Sequence, residues 1–318
     1  MIFPSSSMIS SALFFFCYNK VIKGGVPMYQ IITDSCCDLP AKRLAELGVQ
    51  YISMTIELEG KEYIDDMGEQ FDAKWFLEKL KENAQPTTSQ INVGRYVEFF
   101  RLYVESHTPI LYLGFSSGMS GSFQSAVQAV AILKEEYPHA EITLIDTKSA
   151  SLGEGFLVAE AAKRQSKGWS LHEVSQWVEE HKLSLDSWVT VDDLRHLERG
   201  GRISKTAAAI GGLLNVKPII TVDTDGKLKN VDKVRGRNKS IQKIVDKTVA
   251  NLRESQIETV YLANAGDDEA AEKVLRLLKE QFPALIIYHY PLGPTIASHT
   301  GYGCLALFSF GKTRLISD

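Results

Sequence analysis

The sequence predicts an α/β protein of two domains, with a doubly wound parallel sheet in the first and an α+β arrangement in the second. From Met28 to about residue 168, short apolar runs alternate with amphipathic helical patterns, and strands that are separated by helices pair in parallel. Gly168-Trp169-Ser170 breaks this alternation. We therefore expect residues 28–168 to form the N-terminal domain and residues 169–318 the C-terminal domain.

Apolar periodicity assigns the elements of the first half. Short continuous apolar runs indicate buried strands, strict alternation indicates half-buried strands, and apolar residues three or four apart indicate helices. The strands predicted in this way are Tyr29–Thr33, Tyr51–Leu58, Ile110–Phe115 and Ile142–Ile145. The helices are Pro40–Leu47, Phe71–Glu82, Val93–Ser106, Ser120–Tyr137 and Ser151–Ser166.

The second half mixes hairpin and helix signals. Asp223-Thr224-Asp225-Gly226 separates two strand patterns, and Asp-Gly between strands is a strong signal for a hairpin. The segment around His299 has little helical or strand pattern, and its glycines predict a shaped loop. Predicted strands are Trp188–Val191, Pro218–Val222, Leu228–Val231, Thr259–Ala263 and Leu285–Tyr288. Predicted helices are Leu171–Lys182, Asn238–Glu254 and Asp268–Gln281.

The composition argues against several classes of protein. The 318 residues carry a net charge of −4 and are 44% hydrophobic, as in an ordinary globular chain with a core. This charge, without a basic run interleaved with aromatics, argues against nucleic acid as a partner. Four scattered cysteines without a Cys-x-x-Cys pair indicate reduced thiols and a cytoplasmic location. The sequence predicts neither a metal site nor a cofactor.

Residues 1–27 precede the first predicted strand. Ala12–Cys17 is an apolar run that is too short to span a bilayer. No basic residue precedes it, whereas a secretory signal opens with positive charge. We expect Met28 to be the true start, residues 1–27 to be an extension that is disordered or not native, and the protein not to insert stably in a membrane.

Four separated segments consist largely of glycine and hydroxyl residues, and each lies where a strand pattern meets a helix or a turn. Short hydroxyls, free backbone N–H groups, a guanidinium and an imidazole bind an anion without a metal. If the segments converge, they form a polar site for a carboxylate or a phosphate. The segments are Pro86–Gln90, Ser116–Ser122, Arg199–Ser204 and Gly293–Gly301.

Two of these segments also have a plain structural explanation. Thr87-Thr88-Ser89 is compatible with a helix cap, and Arg199-Gly200-Gly201-Arg202 with a tight turn. Asp34 and Asp146 each end a predicted strand, where capping of a turn is a commoner role than metal binding or general base catalysis.

Gly114-Phe115-Ser116-Ser117-Gly118 fits the Gly-x-Ser-x-Gly pattern of serine hydrolases. In such an enzyme Ser116 would be the nucleophile and His299 the base. However, the loop continues beyond Ser116 through Met119-Ser120-Gly121, whereas the helix of a nucleophile elbow starts directly after the serine. A hydrolase and a regulator that binds phosphorylated metabolites therefore remain as alternatives.

Taken together and in order, these segments resemble the DegV family of bacterial fatty-acid-binding proteins, over residues 28–310. The resemblance depends on Thr33-Asp34-Ser35 with Asp38-Leu39-Pro40, Thr87–Gln90, Ser116–Ser122, Arg199–Ser204, and Gly293-Pro294-Thr295 with His299-Thr300-Gly301. It implies a two-domain carrier, not an enzyme, that holds a long-chain fatty acid in a buried tunnel with the carboxylate at the domain junction. A separate kinase would convert that carboxylate to acyl phosphate for phospholipid synthesis.

The resemblance also implies roles for individual residues. Thr88 and Ser120 would bind the carboxylate directly, His299 and Arg202 would complete the hydrogen-bond network, and Ser117 is a weaker candidate. A basic segment with Arg235 and Arg237 would face the kinase; a solvated turn explains it equally well. The sequence departs from the family pattern at Ile91, where proline is usual, and at Tyr302 in the final glycine loop.

Overall fold

The computed structural model describes residues 29–204 and 215–314, so the predicted extension 1–27 and Met28 lie outside the described residues. The strands are β1 (Gln30–Asp34), β2 (Gln50–Ile52), β3 (Thr55–Leu58), β4 (Lys61–Ile64), β5 (Thr87–Ser89), β6 (Ile110–Gly114), β7 (Ile142–Asp146), β8 (Leu185–Thr190), β9 (Val216–Val222), β10 (Leu228–Arg235), β11 (Thr259–Asn264), β12 (Ile286–Pro291) and β13 (Leu305–Phe310). The helices are α1 (Ala41–Leu47), α2 (Ala73–Lys81), α3 (Val93–Glu105), α4 (Ser122–Glu136), α5 (Leu152–Gln165), α6 (Leu171–His181), α7 (Arg195–Arg199), α8 (Arg237–Leu252), α9 (Asp268–Gln281) and α10 (Pro294–Thr300).

The first half contains the predicted parallel sheet, with strand order β2-β1-β6-β7 and every neighbouring pair parallel. Its central strand β6 is buried at every position, as a continuous apolar run predicts for a strand covered on both faces. The order reverses beside β1, because the next strand in the chain, β2, pairs on one side of it and the later strand β6 pairs on the other. Loops at the carboxyl ends of β1 and β6 therefore border a crevice, where such sheets bind ligands.

Two predictions about local structure were wrong, and one alternative left open by the sequence is excluded. The predicted strand Tyr51–Leu58 is divided into β2 and β3, which belong to different sheets. Thr87-Thr88-Ser89 is not a helix cap but the strand β5, which pairs antiparallel with β3; the cap of α3 is Asn92, whose side chain accepts from Arg95 N. The predicted loop around His299 is the helix α10, which begins with Pro294 and ends before Gly301.

The second half forms a six-stranded sheet in the order β10-β9-β8-β13-β11-β12. All neighbours are antiparallel except β11 and β12. Helices α8 and α9 pack on one face of this sheet through an apolar cluster that includes Ile244 and Val274. The predicted α+β architecture is therefore confirmed. The Asp-Gly hairpin between β9 and β10 is also present, and Gly226 adopts a positive φ of 78° in its turn.

Helix α5 lies between the two large sheets and connects their cores. It packs against β1 and β6 of one sheet and against β8, β11 and β13 of the other, and every residue from Leu152 to Ala162 is buried. One apolar cluster accordingly contains Leu113 from the first sheet and Phe308 from the second. The division at residue 168 remains a prediction, because the two halves share this core.

No helix within residues 29–204 and 215–314 combines the length and the apolar composition that a membrane crossing requires. The cysteines in these ranges, Cys36, Cys37 and Cys304, are free and buried.

Candidate ligand-binding site

A cavity lies between the parallel sheet and the six-stranded sheet. Its space amounts to about 840 Å³ when the open solvent at its mouth is included. The cavity is narrow, with a volume of its own of only about 80 Å³. Most of its wall is apolar and comes from both halves of the chain, including Cys36, Met54, Phe115, Met119, Val189, Leu197, Ile220, Val222, Leu228, Leu292, Ile296, Ala306 and Phe308.

Four of the residues singled out from the sequence line this one cavity: Thr88, Ser120, Arg202 and His299. They come from four different places in the fold. Thr88 is the middle residue of β5 and Ser120 precedes α4, whereas Arg202 follows α7 and His299 lies in the last turn of α10. Each of the four side chains is partly exposed, so they form the polar part of an otherwise apolar wall and lie where solvent can reach it.

The two most distant of these residues in sequence are joined by a hydrogen bond. Thr88 Oγ1 lies 2.8 Å from His299 Nε2. The other ring nitrogen, Nδ1, is buried and has no hydrogen-bond partner among the described residues. It faces Gly200, where an added Cβ would lie 2.1 Å from Nδ1. Glycine at this position therefore permits the Arg199–Arg202 turn to pack directly on the imidazole.

These contacts favour one tautomer of the imidazole. An orphaned buried N–H is rarer in proteins than an under-satisfied acceptor, so the proton belongs on Nε2, which then donates to Thr88 Oγ1. Burial first, and then the positive charge of Arg202, lower the pKa of His299 from 6.5 to about 4, which keeps the ring neutral near pH 7. Since the threonine oxygen accepts from His299, its own hydroxyl proton is free to point to a ligand.

Ser120 has a similar support in Ser122, which is fully buried. The backbone N–H of Ser122 donates to Ser120 Oγ at 3.2 Å, and the two hydroxyl oxygens lie 3.0 Å apart. Ser122 Oγ accepts from Ile91 N at 3.2 Å. Proline, which the family resemblance leads us to expect at position 91, has no N–H to donate. The departure at Ile91 therefore adds a hydrogen bond beneath the site.

Arg202 connects two of the segments. Its Nε donates to Met119 O at 3.0 Å, and another N–H of the guanidinium donates to Gly200 O. Burial lowers the pKa of this guanidinium, but arginine still carries its charge at neutral pH. Arg202 thus provides positive charge at the polar wall, while two of its donors hold neighbouring backbone.

Ser117 lies apart from these residues. Its side chain is exposed and does not line the cavity. Its Oγ accepts from Lys148 Nζ at 2.9 Å, and its backbone N–H donates to Asp146 Oδ1 at 3.2 Å. Asp146 also accepts from Lys148 N at 3.0 Å, in keeping with a turn-capping role.

The two arginines of the basic segment differ in their surroundings. Arg235, at the end of β10, is exposed. Arg237 is only about one fifth exposed; it donates to Asp267 Oδ2 at 2.8 Å and to Gly303 O at 2.5 Å. The second arginine thus fixes the glycine loop that follows α10, whereas the first presents its charge to solvent.

Ser116 is not placed as a nucleophile. Its side chain is completely buried and its Oγ donates to Gly226 O at 2.8 Å. The hairpin turn between β9 and β10 covers it so closely that a Cβ on Gly226 would lie 2.0 Å from Ser116 Oγ. A nucleophile elbow exposes its serine, so the Gly-x-Ser-x-Gly pattern here belongs to the packing of two loops.

Sequence reasoning missed the buried carboxylates beneath the cavity. Asp34 caps a turn, as predicted, because it accepts from Cys36 N at 3.0 Å, but it also accepts from the Tyr112 hydroxyl at 2.7 Å. Asp65 accepts from Thr295 Oγ1 at 2.6 Å and so holds the first turn of α10; burial raises its pKa to about 6. Asp38 and Glu154 are buried as well. The aspartates directly after strand patterns were the available signal, but only the fold shows that they are enclosed.

No group of three or more His, Cys, Asp or Glu side chains in the described part of the chain could hold a metal ion. The polar wall consists of hydroxyls, one neutral imidazole and one guanidinium. Such a set binds an anionic or strongly accepting head group through hydrogen bonds, and the apolar wall beside it fits an aliphatic extension of the same ligand.

Comparison with known proteins identifies the family to which this chain is similar. A family model described as "Uncharacterised protein, DegV family" matches residues 28–312. A DegV domain-containing protein of Clostridium perfringens is 41% identical to this chain over 286 residues, which are 90% of this chain and 98% of that protein.

Two solved structures are also similar. The fatty-acid-binding DegV family protein from Thermus thermophilus is 30% identical with a TM-score of 0.77, over 89% of this chain and 99% of its own. The stearic-acid-binding protein from Eubacterium ventriosum is 26% identical with a TM-score of 0.81, over 90% of this chain and 99% of its own. Because the family model and the clostridial relative both cover most of the sequence, the chain belongs to the DegV family.

Proposed function

We propose that this protein is a cytoplasmic carrier that binds one long-chain fatty acid in the cavity between its sheets and holds the carboxylate at the polar wall. The observation that carries the proposal is the convergence of Thr88, Ser120, Arg202 and His299 on one apolar cavity. The similarity to solved DegV proteins that bind fatty acids, among them the stearic-acid-binding one, supports the same ligand class.

The acyl chain supplies most of the affinity in this proposal. Burying about fourteen CH₂ groups at ~0.8 kcal/mol each gains on the order of 11 kcal/mol, from which the loss of ligand freedom must be subtracted. The narrow cavity has to widen to become a tunnel for the chain. Met54 and Met119 in its wall suit this movement, because methionine has three rotatable bonds and no branch.

The carboxylate supplies orientation. Thr88 donates its hydroxyl proton because its oxygen already accepts from His299, and Ser120 donates because its oxygen accepts from Ser122. Arg202 adds positive charge without the bidentate ion pair that would hold the carboxylate most tightly. Neutral donors at a solvent-facing wall leave a carboxylate oxygen able to attack a phosphoryl donor.

The second part of the proposal is transfer to a partner. A separate acyl kinase would phosphorylate the presented carboxylate to acyl phosphate for phospholipid synthesis, so this protein would not itself be the catalyst. The exposed Arg235 is the candidate contact for such a partner. Arg235→Glu is expected to leave fatty-acid binding unchanged and to lower acyl phosphate formation when a purified fatty acid kinase and ATP are added.

Mass spectrometry of the bound lipid tests the carrier proposal. The purified protein is denatured and extracted, and a near-stoichiometric amount of long-chain fatty acid is expected. Ser120→Ala and His299→Ala should each reduce the retained lipid and leave the circular dichroism spectrum unchanged. Ser117→Ala is the matched control, since that serine lies outside the cavity. A folded protein that neither contains nor takes up fatty acid would refute the proposal.

A further inference from the structure

One buried hydroxyl in the cavity wall differs from the other buried hydroxyls there in its hydrogen bonding. Ser187, in β8, lines the cavity, is 1% exposed, and its Oγ has no hydrogen-bond partner among residues 29–204 and 215–314. The other buried hydroxyls of the wall do have acceptors. Ser151 donates to Asp38 Oδ2, Thr295 to Asp65 Oδ2 and Thr300 to Ile296 O.

A buried hydroxyl without a partner is unfavourable, because it loses its hydrogen bonds to water and gains none in return. Alanine or valine at position 187 would avoid this loss, and valine is the next residue of the same strand that lines the cavity, at position 189. Among otherwise apolar neighbours such as Phe308 and Ala306, the serine is therefore a group that a ligand can satisfy.

The position of Ser187 along the cavity follows from strand register. Ser187 pairs with Phe308, and the cavity-lining residues of the β13 segment run from Cys304, near the end of α10, through Ala306 to Phe308. Four residues of strand span roughly 13 Å. A fully extended polypeptide advances roughly 1.2 Å per backbone bond, since each residue contributes three bonds. At the same advance per bond, about eleven bonds of an extended acyl chain cover this distance.

We infer that Ser187 recognises an oxygen substituent near the middle of the acyl chain, so that the preferred ligand class is a mid-chain hydroxy fatty acid. The inference rests on the proposed function, because the carboxylate at His299 sets the register of the chain. With the carboxylate at the polar wall, a chain that follows β13 brings its middle to Ser187. The ligand oxygen then accepts the serine proton, whereas an unsubstituted chain leaves that proton unpaired.

Competition binding measures this selectivity. The delipidated protein is titrated with a fluorescent fatty acid, which is then displaced by stearic acid, by stearic acid with one hydroxyl near the middle of its chain, or by the isomer with the hydroxyl at the terminal carbon. The mid-chain isomer should bind about five- to tenfold more tightly than stearic acid, which corresponds to one ordinary hydrogen bond. The terminal isomer should show no such gain.

Ser187→Ala should abolish the preference while stearic acid binds at least as well as before. Thr190→Val is the matched control: this threonine is on the same strand, is fully buried and also lacks a partner for its Oγ1 within the described ranges, but it does not line the cavity. Equal affinity for stearic acid and its mid-chain hydroxy derivative, or a preference that survives Ser187→Ala, would overturn the inference and leave the carrier proposal standing. A protein that binds none of these acids would instead refute the carrier proposal.

Discussion

Replacing His299 with glutamine should change how the stability of the ligand-free protein depends on pH. The pKa of His299 is lowered from 6.5 to about 4 in the folded state. A base with a depressed folded pKa contributes stability that is complete above the unfolded pKa and is lost as pH falls through the folded one. The window is therefore pH 6.5 down to about 4, and 2.5 pKa units at 1.36 kcal/mol each amount to about 3 kcal/mol.

Urea unfolding of the delipidated protein at about pH 7.5 and about pH 4.5 measures this effect. Glutamine keeps an amide that can donate to Thr88 but does not titrate. The parent should lose about 2–3 kcal/mol more than His299→Gln between these pH values. Asp65 and Asp186, whose pKa values burial raises to about 6, titrate in both proteins, so their opposite contributions cancel in the difference.

The free energies of unfolding of the parent and the variant could instead differ by the same amount, within ~0.5 kcal/mol, at both pH values. That result would show that His299 is not a buried neutral base. The same measurement with fatty acid bound provides a further check. A carboxylate beside the imidazole favours the charged ring and raises its pKa. The extra loss of stability at low pH should therefore shrink when the ligand is present.

Three further predictions concern the support of the site. Gly200→Ala places a methyl group 2.1 Å from His299 Nδ1, so it should displace the ring and weaken fatty-acid binding by about tenfold or more in a displacement assay. Affinity equal to that of the parent would show that fatty-acid binding does not depend on the position of the ring. Thr295→Val removes the hydroxyl that donates to Asp65 and should lower the free energy of unfolding by about 1–3 kcal/mol. Because the pKa of Asp65 is about 6, urea unfolding should show a larger loss of stability at pH 8, where the carboxylate is ionised, than at pH 5. An equal loss of stability at both pH values would argue against an ionised Asp65. Tyr112→Phe removes a buried donor to Asp34 and should likewise lower the free energy of unfolding by about 1–3 kcal/mol, whereas Tyr137→Phe, at a partly exposed hydroxyl, should change it by less than about 0.5 kcal/mol.

The sequence was sufficient for the regular elements. The apolar run that forms β6 and the periodic pattern that forms α9 were assigned almost to the residue, because their local patterns agree with their burial. The Asp-Gly hairpin was likewise identified from its turn residues. In each case the preference of the segment itself and its place in the fold favour the same structure.

Local patterns failed where pairing with a distant segment decides the structure. Thr87-Thr88-Ser89 looks like a cap, yet it pairs with β3 because that strand supplies backbone donors and acceptors that no local pattern reveals. The α10 helix has only seven residues and too few apolar positions to show a period, and Asp65, from a segment about 230 residues earlier, holds its start. Ser116, which fits a catalytic pattern, is covered by a hairpin turn from the other half of the chain.

The order of the hydroxyl and glycine segments along the chain determined the family and the chemical types available for a site. The hydrogen bond from His299 to Thr88, the tautomer that it favours and the unpaired hydroxyl of Ser187 were decided by the tertiary structure alone. The physical reason is that hydrogen bonding and desolvation depend on distances of a few ångströms between atoms. Residues 211 positions apart along the chain acquire such distances only when two sheets pack around one cavity.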